Sequence, residues 1–110
     1  MVTHQGIAVD PAGHVFFCGD FDHSSFFGGT RLDPAGLEDA FFASYSGSGS
    51  PRWAKRFGGP GPDGATAVAA APDGSLYVTG AFSQTATFEG VPLTSAGARD
   101  IFLLKLVPPL

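Results

Sequence analysis

The hydrophobic pattern of the chain is a series of short apolar runs, each closed by aspartate, proline or glycine. Residues 7–10 form one such run, Pro11-Ala12-Gly13 closes it, and a second run covers residues 15–21. Aspartate accepts local backbone hydrogen bonds, proline fixes φ, and glycine adopts the positive φ that reverses the chain. The pattern therefore predicts a β-hairpin at this point.

Alternation within the second run predicts a strand that is covered on both of its faces. The odd-numbered positions from 15 to 21 share one face and are apolar throughout. The even-numbered positions include Phe16 and Cys18, and this face is also too apolar for open solvent. A sheet with cover on both sides is the expected result.

The chain repeats itself at a constant offset of 61 residues. Residues 2–45 align without a gap onto residues 63–106, and 12 of these 44 positions are identical. The identical pairs are Ala8/Ala69, Pro11/Pro72, Gly13/Gly74, Gly19/Gly80, Phe21/Phe82, Phe27/Phe88, Gly29/Gly90, Leu32/Leu93, Ala35/Ala96, Gly36/Gly97, Asp39/Asp100 and Phe41/Phe102. Most of them are turn and core residues, so the repeat reflects architecture rather than chemistry.

Two further strands complete the repeat unit. Residues 37–45 are compatible with a short helix by propensity, but their counterpart, residues 100–106, is too short and too uniformly apolar and is followed by Pro108-Pro109, so strands are predicted. Residues 52–57 alternate as a fourth strand, and residues 58–64 are predicted to break regular structure. Residues 1–62 thus form one complete four-stranded repeat, and residues 63–110 form a second, incomplete one.

Composition agrees with an all-β fold and excludes several classes of function. Glycine and proline account for 25 of the 110 residues, while 44% of the chain is hydrophobic and 15% is charged. The net charge is −4 and no basic run exists, so we expect neither a nucleic-acid partner nor a membrane partner. There is no apolar run of the length that a membrane span requires, and the first residues do not resemble a signal peptide.

Four antiparallel strands repeated at a fixed period, with both faces needing cover, are typical of β-propeller blades. The residues that carry a further likeness are 6–16, Gly19-Asp20-Phe21, Phe27-Gly28-Gly29, Leu32, Asp39-Ala40-Phe41 and 53–59. In these segments the chain resembles the bacterial seven-bladed β-propeller repeat family. The resemblance implies an exported or cell-surface bacterial protein, located outside the cell or in the cell envelope, and usually without an assigned reaction.

A closed propeller needs more blades than this sequence supplies. Four blades at this period would take about 240 residues. We therefore expect the chain to be a fragment of a longer protein, whose partners include the other blades. A ring of identical chains joined head to tail is the rival hypothesis.

Asp20, Asp22 and His23 place three possible metal ligands within four residues. The second repeat has Ala81, Ser83 and Gln84 at these positions, and zinc or calcium needs four or more converging ligands. We expect a solvated loop rather than a metal site.

The remaining acidic and histidine candidates favour structural roles. Asp10 is expected to bond within its own hairpin turn, and Asp39 and Asp100 to form hydrogen bonds that hold a loop at the start of the third strand. His4 and His14 lie beside strand starts, without an acidic or cysteine partner expected nearby, and are interpreted as surface or hydrogen-bonded side chains.

Nucleophile and phosphate motifs are not formed either. Cys18 lies in mid-strand, where burial would raise its pKa, and Ser24 and Ser25 lack the Gly-x-Ser-x-Gly elbow. Residues 58–61 lack the helix and the Lys-Ser/Thr pair of a phosphate loop. Trp53 is expected to pack between blades; stacking on a sugar is the alternative.

The sequence therefore predicts a non-enzymatic propeller repeat module, without a catalytic, metal or cofactor site of its own. It would act as a scaffold or as an interaction surface for a protein or glycan partner. The alternatives are a fragment of a propeller enzyme whose active site lies in other blades, and a carbohydrate-binding lectin.

Overall fold

Every regular element in the described part of the chain is a β-strand. The computed structural model of the protein describes residues 2–34, 36–88 and 90–107. The strands are β1 (Val2–Val9), β2 (Val15–Phe21), β3 (Ser25–Phe27), β4 (Thr30–Leu32), β5 (Asp39–Tyr45), β6 (Pro51–Phe57), β7 (Gly64–Ala70), β8 (Leu76–Phe82), β9 (Thr85–Phe88), β10 (Val91–Thr94) and β11 (Asp100–Leu106).

The first repeat folds into a four-stranded antiparallel sheet, which we call the first sheet. Its strand order is β1-β2-β5-β6, so the four long strands of the repeat lie side by side in the order in which the chain forms them. The predicted four-stranded unit is confirmed. The strand interpretation of residues 37–45 is also confirmed, although β5 begins two residues later, at Asp39.

The second repeat forms a three-stranded antiparallel sheet, the second sheet, in the order β11-β8-β7. Its pairing register repeats that of the first sheet, because Gly19 lies opposite Phe41 and Gly80 lies opposite Phe102. Each first strand also shifts register at the same point of the repeat, between residues 4 and 6 and between residues 65 and 67. Ala35 and the predicted stop at Pro108-Pro109 lie outside the described residues.

Two short hairpins were not predicted from the sequence. β3 pairs with β4 and β9 pairs with β10, so each repeat inserts a hairpin between its second and third long strands. Strands of three or four residues are too short to show a clear alternation, which is why the pattern missed them. The loop prediction for residues 58–64 was also wrong in part, because Gly58 forms an isolated bridge with Thr87 and β7 begins at Gly64.

Glycines occupy the positions of both repeats that accept no other residue easily. Gly13 and Gly74 have the same φ of 88° in the predicted hairpin turns, and each donates its N–H to a carbonyl three residues earlier at 3.0 Å.

The first strands of the two repeats are longer than predicted, since β1 begins at Val2 and β7 at Gly64. Apart from Val2, the added residues are polar or small, so they do not form an apolar run.

The two sheets pack face to face, and the core of the protein lies between them. The faces that meet are called the inner faces. The fully or nearly fully buried residues of this core are Phe16, Cys18, Ala40, Phe42, Phe57, Ala65, Leu76, Val78, Phe82, Ala86, Phe88, Phe102 and Leu106. The expectation that strand β2 is covered on its even-numbered face is confirmed.

A second apolar cluster lies on the opposite, outer face of the first sheet. Phe21, Phe41 and Ala43 are buried there, beneath the β3–β4 hairpin. Phe27 of that hairpin lies 5.6 Å from the ring of Phe21 and 4.6 Å from the ring of Phe41. The hairpin thus covers one end of the outer face.

Candidate functional site

An open apolar groove of about 440 Å³ occupies the part of the first sheet's outer face that the hairpin leaves uncovered. We call it the outer groove. It is lined by Val2, His4, Val15, Phe17, Phe27, Phe41, Ala43, Tyr45, Ser46, Gly47 and Gly49. The sequence predicted cover on this side of the sheet but gave no sign of where cover would be missing.

Aromatic rings form the walls of the outer groove. Phe17 and Tyr45 meet edge to face with their ring centroids 5.6 Å apart, and Phe27 and Phe41 are tilted at 4.6 Å. Aromatic pairs in these geometries attract each other beyond their area of contact. The walls are therefore held in position by contacts of their own, and the groove is a preformed apolar surface.

The outer face of the second sheet is also apolar and is open. Ile101 is 82% exposed, Leu103 is 73% exposed and Tyr77 is 37% exposed. Lys105 lies on the same face, with its Nζ 5.6 Å from the centre of the Tyr77 ring. A β-sheet face of this composition is unusual as free surface and is typical of a face that packs against another layer.

A buried carboxylate ties the two repeats together at one end of the sheets. Asp63 is 2% exposed and accepts hydrogen bonds from the N–H of Gly59 at 3.0 Å and of Ser83 at 3.3 Å. Its own N–H donates to the carbonyl of Glu38 at 2.8 Å. Burial raises the pKa of Asp63; the two N–H donors oppose this increase, and the nearby Asp39 carboxylate adds to it.

Asp39 lies next to this carboxylate and is fully buried. It accepts a hydrogen bond from Arg56 Nη1 at 2.6 Å, so a charged pair joins β5 to β6. A Cβ placed on Gly58 would lie 2.7 Å from Asp39 Oδ1 and 2.8 Å from Asp63 Oδ2, so both carboxylates converge on this glycine. Asp63 did not stand out in the sequence, because the repeat aligns it with Val2 and the two positions share no residue type.

The predicted structural hydrogen bond of Asp100 is confirmed. Its Oδ2 accepts from the N–H of Ala96 at 2.7 Å, which holds the loop before β11. Asp39 pairs with a side chain of the neighbouring strand, as described above. Both residues start the third long strand of their repeat, and neither faces the outer groove.

The candidate metal ligands do not converge. Asp20 is half-buried on the inner side near Gly64, and burial, followed by repulsion from Glu38 and Asp22, raises its pKa. Asp22 Oδ1 and His23 Nδ1 form a hydrogen bond of 2.9 Å at the surface. Among residues 2–34, 36–88 and 90–107, no group of three or more His, Cys, Asp or Glu side chains could hold a metal ion.

The turn role predicted for Asp10 is confirmed, and the prediction for His14 requires a correction. Asp10 Oδ1 accepts from the N–H groups of Ala12 at 3.0 Å and His14 at 2.9 Å. The His14 ring also approaches Asp10 Oδ2 at 2.9 Å, so this histidine has an acidic partner that the sequence analysis did not expect. Burial opposes the effect, but the bonds from His14 and Ala12 lower the pKa of Asp10 overall.

The nucleophile candidates are held in structural contacts. Cys18 is fully buried between the sheets, and burial raises the pKa of its thiol to about 11, as predicted in direction. Ser24 Oγ donates to Asp33 Oδ1 at 2.5 Å, and Ser25 Oγ donates to the carbonyl of His23 at 2.9 Å. Neither hydroxyl is hydrogen-bonded to a histidine side chain in these contacts.

Trp53 packs against the core between the sheets, whereas its packing between propeller blades stays a prediction. Its ring lies 5.9 Å from Phe16 and 5.6 Å from Phe42, and it is half-buried. Lys55 Nζ lies 5.4 Å from the centre of the Trp53 ring. The chain around residues 58–61 runs along the second repeat, where Gly59 and Gly61 approach Thr85 and Ser83.

Comparisons with known proteins identify no relative. A scan against protein-family models and a search of curated proteins both found no match to this chain. In addition, the described part of the chain contains no helix with the length and hydropathy of a membrane span. The features of the molecule that bear on its function are therefore the two open faces and the contact between the sheets.

Proposed function

We propose that the chain is a non-enzymatic structural repeat module, made of one complete and one partial β-propeller blade. A single observation carries this proposal: the two repeat sheets stack face to face, and the faces left open on both sides are largely apolar. Stacking through both faces of each sheet is the way in which propeller blades build a ring around an axis. In this proposal further blades cover the outer groove and the outer face of the second sheet.

The resemblance of the repeat to a bacterial β-propeller family supports a cellular context for this module. A member of the bacterial seven-bladed propeller repeat family would be exported and would act outside the cell or in the cell envelope. Its loops and rims would present a surface to a protein or glycan partner. The exposed β3–β4 hairpin, with Phe26 72% exposed, is a suitable surface of this kind.

Tandem arrays of the repeat unit test the proposal. We would join two to eight copies of residues 2–62 and measure chemical unfolding and small-angle X-ray scattering for each array. Stacked repeat units gain stability with every added neighbour, and ring closure removes the two open faces at once. The free energy of unfolding should therefore rise with copy number and level off at closure, with a disc-shaped scattering profile. Arrays that stay extended at every length would contradict a propeller.

The lectin alternative makes a different prediction. A sugar would stack on the aromatic walls of the outer groove, in particular on Phe17 or Tyr45. A glycan array with the intact protein tests this, and a blank array would exclude it. The enzyme alternative requires a cluster of His, Asp or Arg on one face of additional blades, which the sequence of a longer reading frame would reveal.

A further inference from the structure

Each of the two open faces is the repeat equivalent of a face that is already buried inside the chain. At the offset of 61 residues, Phe16 and Phe42 of the first sheet's inner face correspond to Tyr77 and Leu103. The first two are fully buried between the sheets, whereas Leu103 is 73% exposed. The outer face of the second sheet therefore has the position and much of the chemistry of a surface that packs in this fold.

The outer groove stands in the same relation to the second sheet. Phe17 and Phe41 in the groove correspond to Val78 and Phe102, which pack against the inner face of the first sheet. The groove is thus the counterpart of a surface that receives a sheet. One chain carries both halves of its own internal interface a second time, one half at each end.

We infer that copies of this chain associate head to tail. The outer face of the second sheet, centred on Ile101 and Leu103, docks on the outer groove of a second copy, with Phe17 and Tyr45 as its main contacts. This inference rests on the proposed stacking of repeat units, and it names the partner as a second copy of the chain.

The composition of the two faces favours this partner over a glycan. The outer groove is lined mainly by apolar side chains and backbone, with His4, Tyr45 and Ser46 as its polar side chains. Burying sugar hydroxyls against such walls would leave many of them without hydrogen bonds. Aliphatic side chains such as Ile101 and Leu103 have no such cost, and they are 82% and 73% exposed at the other end of the same chain.

The two docking surfaces differ from each other, so the association is heterologous. A heterologous contact generates a ring if the rotation between copies closes and an open series if it does not. It does not produce a symmetric dimer in which the same surface meets itself. Two variants that are each defective in a different surface should therefore restore association when they are mixed.

Sedimentation velocity and mass photometry over a range of protein concentrations test the association. The unmodified chain should form species larger than a monomer, and Leu103→Glu should shift it to monomer. Leu37→Glu is the matched control, because Leu37 is 70% exposed but does not line the outer groove, and it should keep the wild-type mass. A wild-type chain that is monomeric at every concentration would overturn the inference.

Mixing two defective variants tests the head-to-tail geometry. Leu103→Glu has a defective second sheet but an intact groove, and Tyr45→Glu has a defective groove but an intact second sheet. Each variant should therefore be monomeric alone, and the mixture should form a 1:1 heterodimer through the two intact surfaces. If Tyr45→Glu does not fold, as judged by circular dichroism, Val2→Glu takes its place, since Val2 lines the groove and is 43% exposed. A mixture that remains monomeric would contradict the head-to-tail contact.

The two proposals can fail separately. If the chain alone stays monomeric while the tandem arrays close into compact rings, the self-association is wrong and the propeller module stands. If copies associate but the arrays remain extended, the docking surfaces are correct and the propeller is wrong.

Discussion

At the scale of single residues, the repeated glycines of β2 and β8 mark a close approach between strands. A Cβ on Gly80 would overlap the carbonyl oxygen of Gly64 and lie 2.8 Å from the ring of Phe102. A Cβ on Gly19 would meet the carbonyl of Thr3 and the ring of Phe41 in the same way. Glycine recurs at this position because a carbonyl oxygen of the first strand and an aromatic ring of the third long strand both lie close to it in each repeat.

Replacing Gly80 by alanine tests this explanation. Because the added methyl group meets backbone as well as a ring, Gly80→Ala should lower the free energy of unfolding by about 1–3 kcal/mol. The control is Gly97→Ala, where nothing lies within 4 Å of the added Cβ, and it should change stability by no more than about 0.5 kcal/mol. Chemical denaturation of both variants provides the measurement, and equal effects would refute the explanation.

Asp63 joins the two repeats, and its contribution to the free energy of unfolding depends on pH. Its two carboxylate oxygens accept from Gly59 and Ser83, while burial raises its pKa above the ordinary value of 3.8. The folded protein therefore binds this proton more readily than the unfolded chain does. The resulting contribution is fully present below the unfolded pKa and is lost as the pH rises through the folded pKa.

Asp63→Asn should destabilise the protein at neutral pH by about 1–3 kcal/mol, because the amide offers one oxygen to two buried N–H donors. The advantage of the wild type over this variant should grow as the pH falls from neutral towards 4. Asp73→Asn is the control with the opposite sign, because the N–H of Ser75 lowers the pKa of Asp73 and its contribution is lost at low pH. Urea unfolding across this range measures both, and a gap for Asp63 that narrows on acidification would contradict the assignment.

At the scale of elements, the two hairpins show how a repeat acquires different energetics in two surroundings. Phe88 lies 5.6 Å from Phe82 and 4.5 Å from Phe102, which matches the contacts of Phe27 with Phe21 and Phe41. Phe88 also stacks on Phe57 of the first sheet at 6.2 Å. The β9–β10 hairpin therefore links both sheets, whereas the β3–β4 hairpin covers one.

Truncation of the two equivalent phenylalanines should have unequal effects. Phe88→Ala removes a nearly fully buried ring from the core between the sheets and should cost about 3–5 kcal/mol. Phe27→Ala should cost clearly less, because Phe27 is only half-buried at the edge of the outer groove. Phe26→Ala, at a 72% exposed position, is the control and should be nearly neutral. Thermal and urea unfolding measure the order, and an equal loss for Phe27 and Phe88 would contradict it.

At the scale of the whole molecule, Cys18 reports on the contact between the sheets. It is fully buried, and a Cβ on Gly6 of β1 would lie 3.1 Å from its Sγ and 3.2 Å from the Cα of Ala67 in β7. The thiol thus lies where the first strands of the two sheets meet. Modification requires both exposure of the sulfur and loss of its proton, and burial raises its pKa to about 11.

The rate at which a thiol reagent labels Cys18 should therefore depend on how often the two sheets separate. In native buffer the reaction should be slow, and Leu76→Ala should accelerate it at least about 30-fold, since truncating a fully buried leucine costs 2 kcal/mol or more. Labelling in denaturant, where wild type and variant should react equally fast, controls for the chemistry of the reagent. Rapid labelling of the folded wild type would show that the sheets do not enclose the thiol.

The sequence predicted the long strands, the turns and the repeat, but not the hairpins or the carboxylate junction. Alternation and turn residues were clear in β2, β6 and β8 because each spans seven residues. The hairpin strands are too short to show a period. Asp63 gave no signal because its bonds reach Gly59 in the preceding loop and Ser83, 20 positions along the chain.

The sequence by itself determined the all-β class and the apolar character of both sheet faces, because these properties depend on neighbours within a few residues. The offset of 61 residues also follows from the sequence alone, by its alignment with itself. The tertiary structure decided which faces are covered. Phe42 and Leu103 occupy the same position of the repeat, yet one is fully buried and the other is 73% exposed. Local pattern is the same in both, and burial depends on whether a second sheet lies opposite, which is a property of the packed molecule.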